Sequence, residues 1–165
     1  LLTSAQPVAS EKMFDPADPF SLKEYSTYSL GYYQKIMDLC AENGVAIAAV
    51  SFPKENSSVY ADEYHSIRRF CEDNGIAYFN FNEPELLASL SLDFEKDFYD
   101  KGHLNINGAL KLSARLAALL HETFSLSDHR QEQAFADWQH SWREFYRAYE
   151  AYLAPQGYER EDHAE

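Results

Sequence analysis

The 165-residue sequence lacks several features that would identify a function directly. It has no apolar run of about 18 residues, so nothing in it predicts a membrane-spanning helix. Its 14 lysines and arginines form no cluster and are outnumbered by 27 acidic residues. The net charge of −13 would repel a phosphate backbone, which argues against a nucleic-acid partner. No Gly-rich loop follows an apolar segment, which argues against a flavodoxin-like phosphate or nucleotide binder.

Cysteine is scarce, and so are signals of targeting. Cys40 and Cys71 cannot make a disulfide framework, and each lies in an apolar helical stripe. We therefore expect two buried free thiols. Because the sequence begins at Leu1 and shows no charged-then-apolar leader, we interpret it as a fragment of a longer chain.

What is present is the patterning of a folded α/β domain. The 45% of hydrophobic residues and 25% of charged residues are ordinary globular usage. After an irregular lead-in over 1–24, apolar residues recur at helical spacing over 29–40, and Asn43-Gly44 ends the helix. The continuously apolar Val45–Phe52 then predicts a strand that is covered on both faces.

A second helix–strand unit follows the first at an offset of 31 residues. Its helical pattern spans 59–71, Asn74-Gly75 ends the helix, and Ile76–Phe81 predicts a strand. This alternation predicts parallel strands with right-handed crossovers. Two parallel strands are a poor sheet alone, so we expect the open edge to be covered by a missing N-terminal half or by a second copy in a homo-oligomer.

Two further helices are predicted. One begins at Asn107 as its N-cap and continues to about His121, closing an α/β domain over 25–124. The other is an amphipathic helix within 125–154, whose aromatic residues, Trp138 and Trp142 among them, recur every three or four positions. That spacing predicts a helix packed on its own domain, followed by a frayed tail over 155–165.

The segment DFYDKGHLNINGALK, from Asp97 to Lys111, contains the most informative residues. Asp100 and His103 lie three apart, just before a helix, at the sheet edge where sites form in parallel α/β folds. A carboxylate bound to one imidazole nitrogen fixes the tautomer and leaves the other nitrogen free to take a proton from a hydroxyl. Spacing alone equally allows a plain turn in which Asp100 binds backbone amides and His103 lies at the surface.

The residues DKGHLNINGA, together with the helix they open, resemble the last block of the SGNH/GDSL hydrolases. The unit ending in VSFP is similar to a late strand of that family, and LSDHRQEQAFADWQHSWREFY resembles the tail of a bacterial, extracytoplasmic subgroup. More distantly, the D-alanine-transfer proteins of lipoteichoic acid are similar. The resemblance spans about residues 25–148 and implies a three-layer flavodoxin-like parallel sheet with its N-terminal part missing. It assigns Asp100 as the acid and His103 as the base of a Ser-His-Asp triad.

The Gly-Asp-Ser-like block that carries the family's nucleophile does not occur in this sequence. Nor do the Gly and Asn blocks that supply the family's oxyanion donors. Ser4 follows Leu-Leu-Thr and is not assigned as the nucleophile. We therefore expect the chain to supply only the acid and the base, and to be inactive alone.

Other polar residues favour ordinary structural roles. Asp97 and His121 could join the pair as metal ligands, but the set is irregular, and we expect Asp97 to support the loop or face water. Glu55, Asn56 and the serines at 57 and 58 are on the right edge to shape a substrate pocket, and a plain loop is the equally good alternative. The remaining acidic and histidine residues are expected to solvate loops or the surface: Glu83, Glu85, Asp93, His65, His129, His140 and His163.

The leading hypothesis is the C-terminal part of a serine esterase or O-acyltransferase. Its substrate would be an acylated carbohydrate or another cell-envelope molecule, with no cofactor and no metal. The resemblance implies an extracytoplasmic protein anchored to the membrane through upstream sequence. The alternative is a non-catalytic α/β module that binds a partner protein through its acidic surface or aromatic tail.

Overall fold

A computed structural model describes residues 4–10 and 12–153. The chain divides into two compact units, Leu1–Ser125 and Leu126–Glu165. The first unit is mixed α/β with a small parallel sheet, which confirms the predicted class. Its elements in chain order are α1 (Thr27–Glu42), β1 (Ala48–Ser51), a 3-10 helix (Ser57–Tyr60), α2 (Ala61–Asp73), β2 (Ala77–Asn80), α3 (Pro84–Ser89), β3 (Phe98–Asp100), β4 (His103–Leu104) and α4 (Ile106–Phe124).

The two helix–strand units form as the sequence pattern predicts. Gly44 and Gly75 follow α1 and α2 with φ of 63° and 67°, left-handed values that glycine adopts without steric cost. The strands that come next, β1 and β2, pair in parallel from Ala48↔Ala77 to Ser51↔Asn80. Both strands are four residues long, shorter than the apolar runs that predicted them.

Helices contact both faces of this sheet. On one face, Val50 and Phe79 pack with leucines of α4 such as Leu112, in a core that includes the fully buried Phe81. Successive side chains of a strand point to opposite faces, so Tyr78 points to the other face. There the guanidinium of Arg68 in α2 lies 5.8 Å from the centre of its ring.

The outer side of the first unit is more open than predicted. Every residue of β1 is only half-buried, although the sequence predicted a strand covered on both faces. The reason is that β1 pairs with β2 and with no other strand in the described part of the chain. Apolar side chains of α1 are also exposed, with 52% of Ile36 and 60% of Leu39 accessible to solvent. Cys40 is half-buried rather than buried, whereas Cys71 is buried as expected.

The described residues of the lead-in, 4–10 and 12–24, form no helix or strand, but they are tied to the unit. The Gln6 and Val8 amides donate to carbonyl oxygens of Phe98 and Phe94. Further along, Phe14 is buried against Tyr64, and the Phe20 ring stacks on His65 with centroids 3.6 Å apart.

The prediction of a surface His65 is therefore wrong. Its ring is half-buried beneath the lead-in, and its Nε2 is buried without a hydrogen-bond partner in the described part of the chain. The sequence could not indicate this, because the aromatic partner lies 45 positions earlier in a segment without periodicity. His163, another predicted surface residue, lies outside the described residues.

The second unit contains a 3-10 helix (Gln133–Phe135) and α5 (Ala136–Leu153). Its aromatic residues contact one another along the helix, as in the stacked rings of Trp142 and Phe145. Trp138 and Trp142 are 78% and 53% exposed. That α5 packs on the α/β domain stays a prediction. Within 4–10 and 12–153, no helix has the length and apolarity needed to cross a bilayer.

Candidate functional site

A tight hairpin brings Asp100 and His103 together. Strands β3 and β4 are antiparallel, and only Lys101 and Gly102 separate them. Asp100 and His103 are partners in the strand register, so their side chains emerge side by side. The hairpin has no signal in the sequence, because two strands of three and two residues are too short to show a hydrophobic alternation.

The carboxylate and the imidazole are in hydrogen-bond contact. Nδ1 of His103 lies 2.8 Å from Oδ1 and 3.0 Å from Oδ2 of Asp100. Nε2 has no hydrogen-bond partner among the described residues, and the ring is 69% exposed. This geometry is compatible with both interpretations of the sequence. The contact between Asp100 and His103 is formed, as the acid–base interpretation predicts. His103 also lies at the surface, as the plain-turn alternative predicts.

The loop holds Asp100 in its ionised form. The Gly102 amide donates to Oδ1 at 2.9 Å. That hydrogen bond, followed by the one from His103, lowers the pKa of Asp100 below its ordinary value. Across the neutral range the carboxylate is therefore charged and can stabilise an imidazolium.

Glu55 ties the hairpin turn to the loop that follows β1. Its backbone amide donates to the carbonyl oxygen of Lys101 at 2.9 Å, and its Oε2 lies 3.3 Å from Lys101 Nζ. Its other carboxylate oxygen accepts from the Ala9 amide at 3.0 Å. The Ala9 hydrogen bond is also the main cause that lowers the pKa of Glu55. One side chain thus joins three segments that are distant in sequence.

Asn82 plays a similar part between the loops after β1 and β2. It is fully buried, and its side chain accepts from the Lys54 amide and donates to the Phe52 carbonyl oxygen. It therefore fixes the chain at the carboxyl ends of both strands. Its place directly after the apolar run Ile76–Phe81 is the sequence signal that could have identified it.

Asp97 supports the start of α4. It is buried, and its Oδ2 accepts from the Asp93 amide at 2.7 Å and from Lys111 Nζ at 2.8 Å. Its carbonyl oxygen also accepts from the Asn105 amide. Of the two roles expected for Asp97, the structure shows loop support.

The N-cap of α4 is Asn105, so the prediction of Asn107 is wrong. The Asn105 side chain accepts from the amides of Asn107 and Gly108, and its Nδ2 donates to the Lys96 carbonyl oxygen. Gly108 packs so closely that a Cβ there would lie 2.3 Å from the Asp97 carbonyl oxygen. The two asparagines are equally good caps in sequence, and only the loop contacts distinguish them.

A cleft of about 840 Å³ lies beside the hairpin turn. Its walls are the end of β1 with the following loop, residues 59–67 of the 3-10 helix and α2, and the turn residues 101–103. His103 lines the cleft together with exposed apolar residues, Phe52 and Val59 among them. The imidazole therefore borders a space large enough for a small ester.

No serine of the described chain is hydrogen-bonded to His103. Ser51 lines the cleft, but its Oγ shares a 2.8 Å hydrogen bond with the hydroxyl of Tyr78. Burial raises the pKa of Tyr78 to about 12, so that hydroxyl keeps its proton at neutral pH. Ser57 is fully buried, and its Oγ accepts from the Phe14 amide. The described chain thus presents a paired carboxylate and imidazole with no serine hydroxyl hydrogen-bonded to the ring.

The pair is not unique in its local geometry. His129 and Glu132, in the second unit, are also three residues apart, with Nδ1 of the histidine 2.6 Å from Oε1. His129 belongs to the second unit, whereas all residues that line the cleft belong to the first. The cleft, rather than the pair alone, distinguishes Asp100 and His103.

Among residues 4–10 and 12–153, no group of three or more potential metal ligands assembles.

No family model matches the chain, and no curated protein or solved structure is significantly similar to it.

Proposed function

We propose that the chain supplies the acid and base of a serine esterase or O-acyltransferase of SGNH type, with His103 as the general base and Asp100 as its orienting acid. The observation that carries the proposal is the Asp100–His103 contact beside the cleft, with Nε2 unoccupied by the described chain. Carbohydrate O-acyl esters of the cell envelope are the proposed substrates. An extracytoplasmic location belongs to the same proposal.

In the proposed reaction, Nε2 of His103 takes the proton of a serine hydroxyl supplied by sequence upstream. The serine oxygen attacks the ester carbonyl carbon and forms a tetrahedral oxyanion. The C–O bond to the alcohol then breaks, and the imidazolium returns the proton to the departing alcohol. Water or an acceptor alcohol repeats these steps on the acyl-serine, which regenerates the hydroxyl. Asp100, ionised at neutral pH, stabilises the imidazolium at both stages.

The proposed fold of the intact protein is the three-layer flavodoxin-like sheet. Two features support it. Helices already contact both faces of the β1–β2 sheet, and in the described part of the chain β1 pairs with no strand other than β2. Further strands added at the β1 edge would cover that edge and could bring a serine to the carboxyl ends of the strands.

The test is His103→Ala in the full-length protein, assayed by turnover of 4-nitrophenyl acetate. Loss of a general base is expected to lower kcat by roughly 10²–10⁴-fold. His129→Ala is the matched control, because it removes another imidazole that is paired with a carboxylate three residues away. Turnover that is unchanged in the His103 variant would remove this residue from the mechanism.

A non-catalytic interaction module is the second candidate, favoured by the exposed Trp138 and Trp142 on α5. The two functions differ in their response to a fluorophosphonate, which labels activated serines. The esterase proposal predicts that the full-length protein is labelled and that His103→Ala slows the labelling. The interaction module predicts no labelling of either form.

A further inference from the structure

Two lysines and two glutamates line the cleft, Lys54 and Lys101 with Glu55 and Glu63, and they differ in whether an opposite charge holds them. Two carboxylates line it, and each has a basic partner: Glu55 pairs with Lys101, and Glu63 with Lys23. Lys54 also lines the cleft and makes no ion pair with a described residue. Of the four charged residues, Lys54 is therefore the one whose charge is not already held by an opposite charge of the described chain.

Lys54 is held in place rather than extended into solvent. Its backbone amide donates to Oδ1 of the buried Asn82 at 3.0 Å, which fixes the main chain. Its ammonium group lies 4.4 Å from the centre of the Tyr60 ring, and Tyr60 also lines the cleft. The residue is half-buried, so a ligand in the cleft would meet an ammonium that is partly desolvated.

We propose that Lys54 is a specificity-determining residue that binds an anionic group, a carboxylate or a phosphate, on the ester substrate of the Asp100–His103 site. The proposal rests on the proposed function, because it names the substrate class of that site. The overall acidic charge does not oppose it at physiological ionic strength, since charges more than about 8 Å apart are screened. A contact inside a half-buried cleft is screened much less.

The experiment compares three esters on the full-length protein. 4-Nitrophenyl acetate is neutral, 4-nitrophenyl hydrogen succinate carries a carboxylate on its acyl part, and 4-acetoxybenzoate carries one on its alcohol part. Lys54→Met is expected to raise KM about tenfold for one anionic ester or both, since a charge-assisted hydrogen bond is lost. KM for the neutral ester stays within about twofold, and Lys54→Arg restores the wild-type KM for the anionic ester. Which ester responds identifies the end of the substrate that bears the anion.

Lys35→Met is the matched control. Lys35 is also a lysine over a tyrosine ring, 5.3 Å from the centre of Tyr32, but it lies on α1 and does not line the cleft. The Lys35→Met variant loses one positive charge, as Lys54→Met does, so any effect of the net charge on KM appears in both variants.

Three results would overturn the proposal: an unchanged KM for both anionic esters in Lys54→Met, an equal rise for the neutral ester, or an equal effect of Lys35→Met. None of these contradicts the role of His103, which its own variant tests. If neither His103→Ala nor Lys54→Met alters the turnover of any ester, the proposed function and the anion subsite both fail.

Discussion

At the scale of single residues, the site depends on how one short turn distributes its hydrogen bonds. Asp100 accepts from the Gly102 amide and from the His103 ring, so the main chain orients the carboxylate independently of the imidazole. The sequence was sufficient to predict that Asp100 and His103 are in contact, because their spacing and the residues around them are local properties. It could not identify Glu55 or Asn82 as the groups that fix the surrounding loops, because their partners are distant in sequence.

The ranking of these hydrogen bonds predicts how Asp100 titrates. The Gly102 amide is the larger cause of its lowered pKa and the His103 ring the next. In His103→Ala the pKa of Asp100 is therefore expected to rise but to stay below the ordinary aspartate value of about 3.9. A ¹³C NMR titration of the Asp100 carboxyl measures this.

The same pKa sets the sign of a stability effect. Because the pKa of Asp100 is lower in the folded than in the unfolded chain, its ionised form favours folding above the unfolded value. That contribution is lost as the pH falls through the lowered folded value.

If the pKa of Asp100 in His103→Ala returned fully to the ordinary value, the Gly102 hydrogen bond would not be the main cause of the lowered pKa.

At the scale of elements, the first turn of α4 is held against the loop that precedes the β3–β4 hairpin. Gly108 allows the helix to approach the Asp97 carbonyl oxygen, and Asn105 caps the helix while bonding the Lys96 carbonyl oxygen. Sequence patterning predicted that a helix begins here but not which asparagine caps it. Close packing, and not backbone conformation, is the reason for a glycine at position 108, because φ at Gly108 is not positive and any residue could adopt it.

Gly108→Ala is expected to lower the free energy of unfolding by roughly 1–3 kcal/mol, because its Cβ would overlap the Asp97 carbonyl oxygen. Gly31→Ala is the matched control. Gly31 also lies within a helix, α1, and a Cβ there would meet nothing within 4 Å. Alanine at 31 should stabilise by up to about 1 kcal/mol. Urea unfolding of both variants measures the difference, and equal effects would contradict the packing argument.

Glu55 is expected to act as a positioning residue, because it holds the hairpin turn against the loop after β1. Glu55→Ala should lower kcat roughly tenfold by misplacing His103, without moving the acid limb of the pH–rate profile. Glu55→Gln keeps an oxygen that can accept from the Ala9 amide and should retain most of the activity. An alanine variant with wild-type kcat, or a displaced acid limb, would show that Glu55 does not position the base.

At the scale of the whole molecule, the open edge of β1 is the main departure from what the sequence pattern led us to expect. The apolar run over Val45–Phe52 has the composition of a strand buried on both faces, yet β1 is half-buried, and Val45 and Phe52 are exposed. The sequence predicted the strand and its parallel pairing correctly, since both follow from local alternation of helix and strand. The extent of its burial depends on neighbours outside that local pattern.

If added strands or a second copy cover this edge in the full-length protein, amides on the outer side of β1 will be protected from hydrogen exchange. Alternate residues of a strand direct their N–H groups away from one neighbour, so these amides form a distinct set. Hydrogen exchange followed by mass spectrometry or NMR measures their protection. Rapid exchange throughout the outer side of β1 would mean that the edge stays open, and light scattering would separate added strands from a dimer.

The central claim is that Asp100 fixes the imidazole of His103 with its proton on Nδ1, which leaves Nε2 as the base. The most direct test is a long-range ¹H–¹⁵N NMR spectrum of the histidine rings of the full-length protein, recorded at a pH where the rings are neutral, with His103 assigned by His103→Ala. The geometry predicts a protonated Nδ1 and an unprotonated Nε2, and a shift toward the other tautomer in Asp100→Asn. A neutral His103 with its proton on Nε2 in the wild-type protein would contradict the claim.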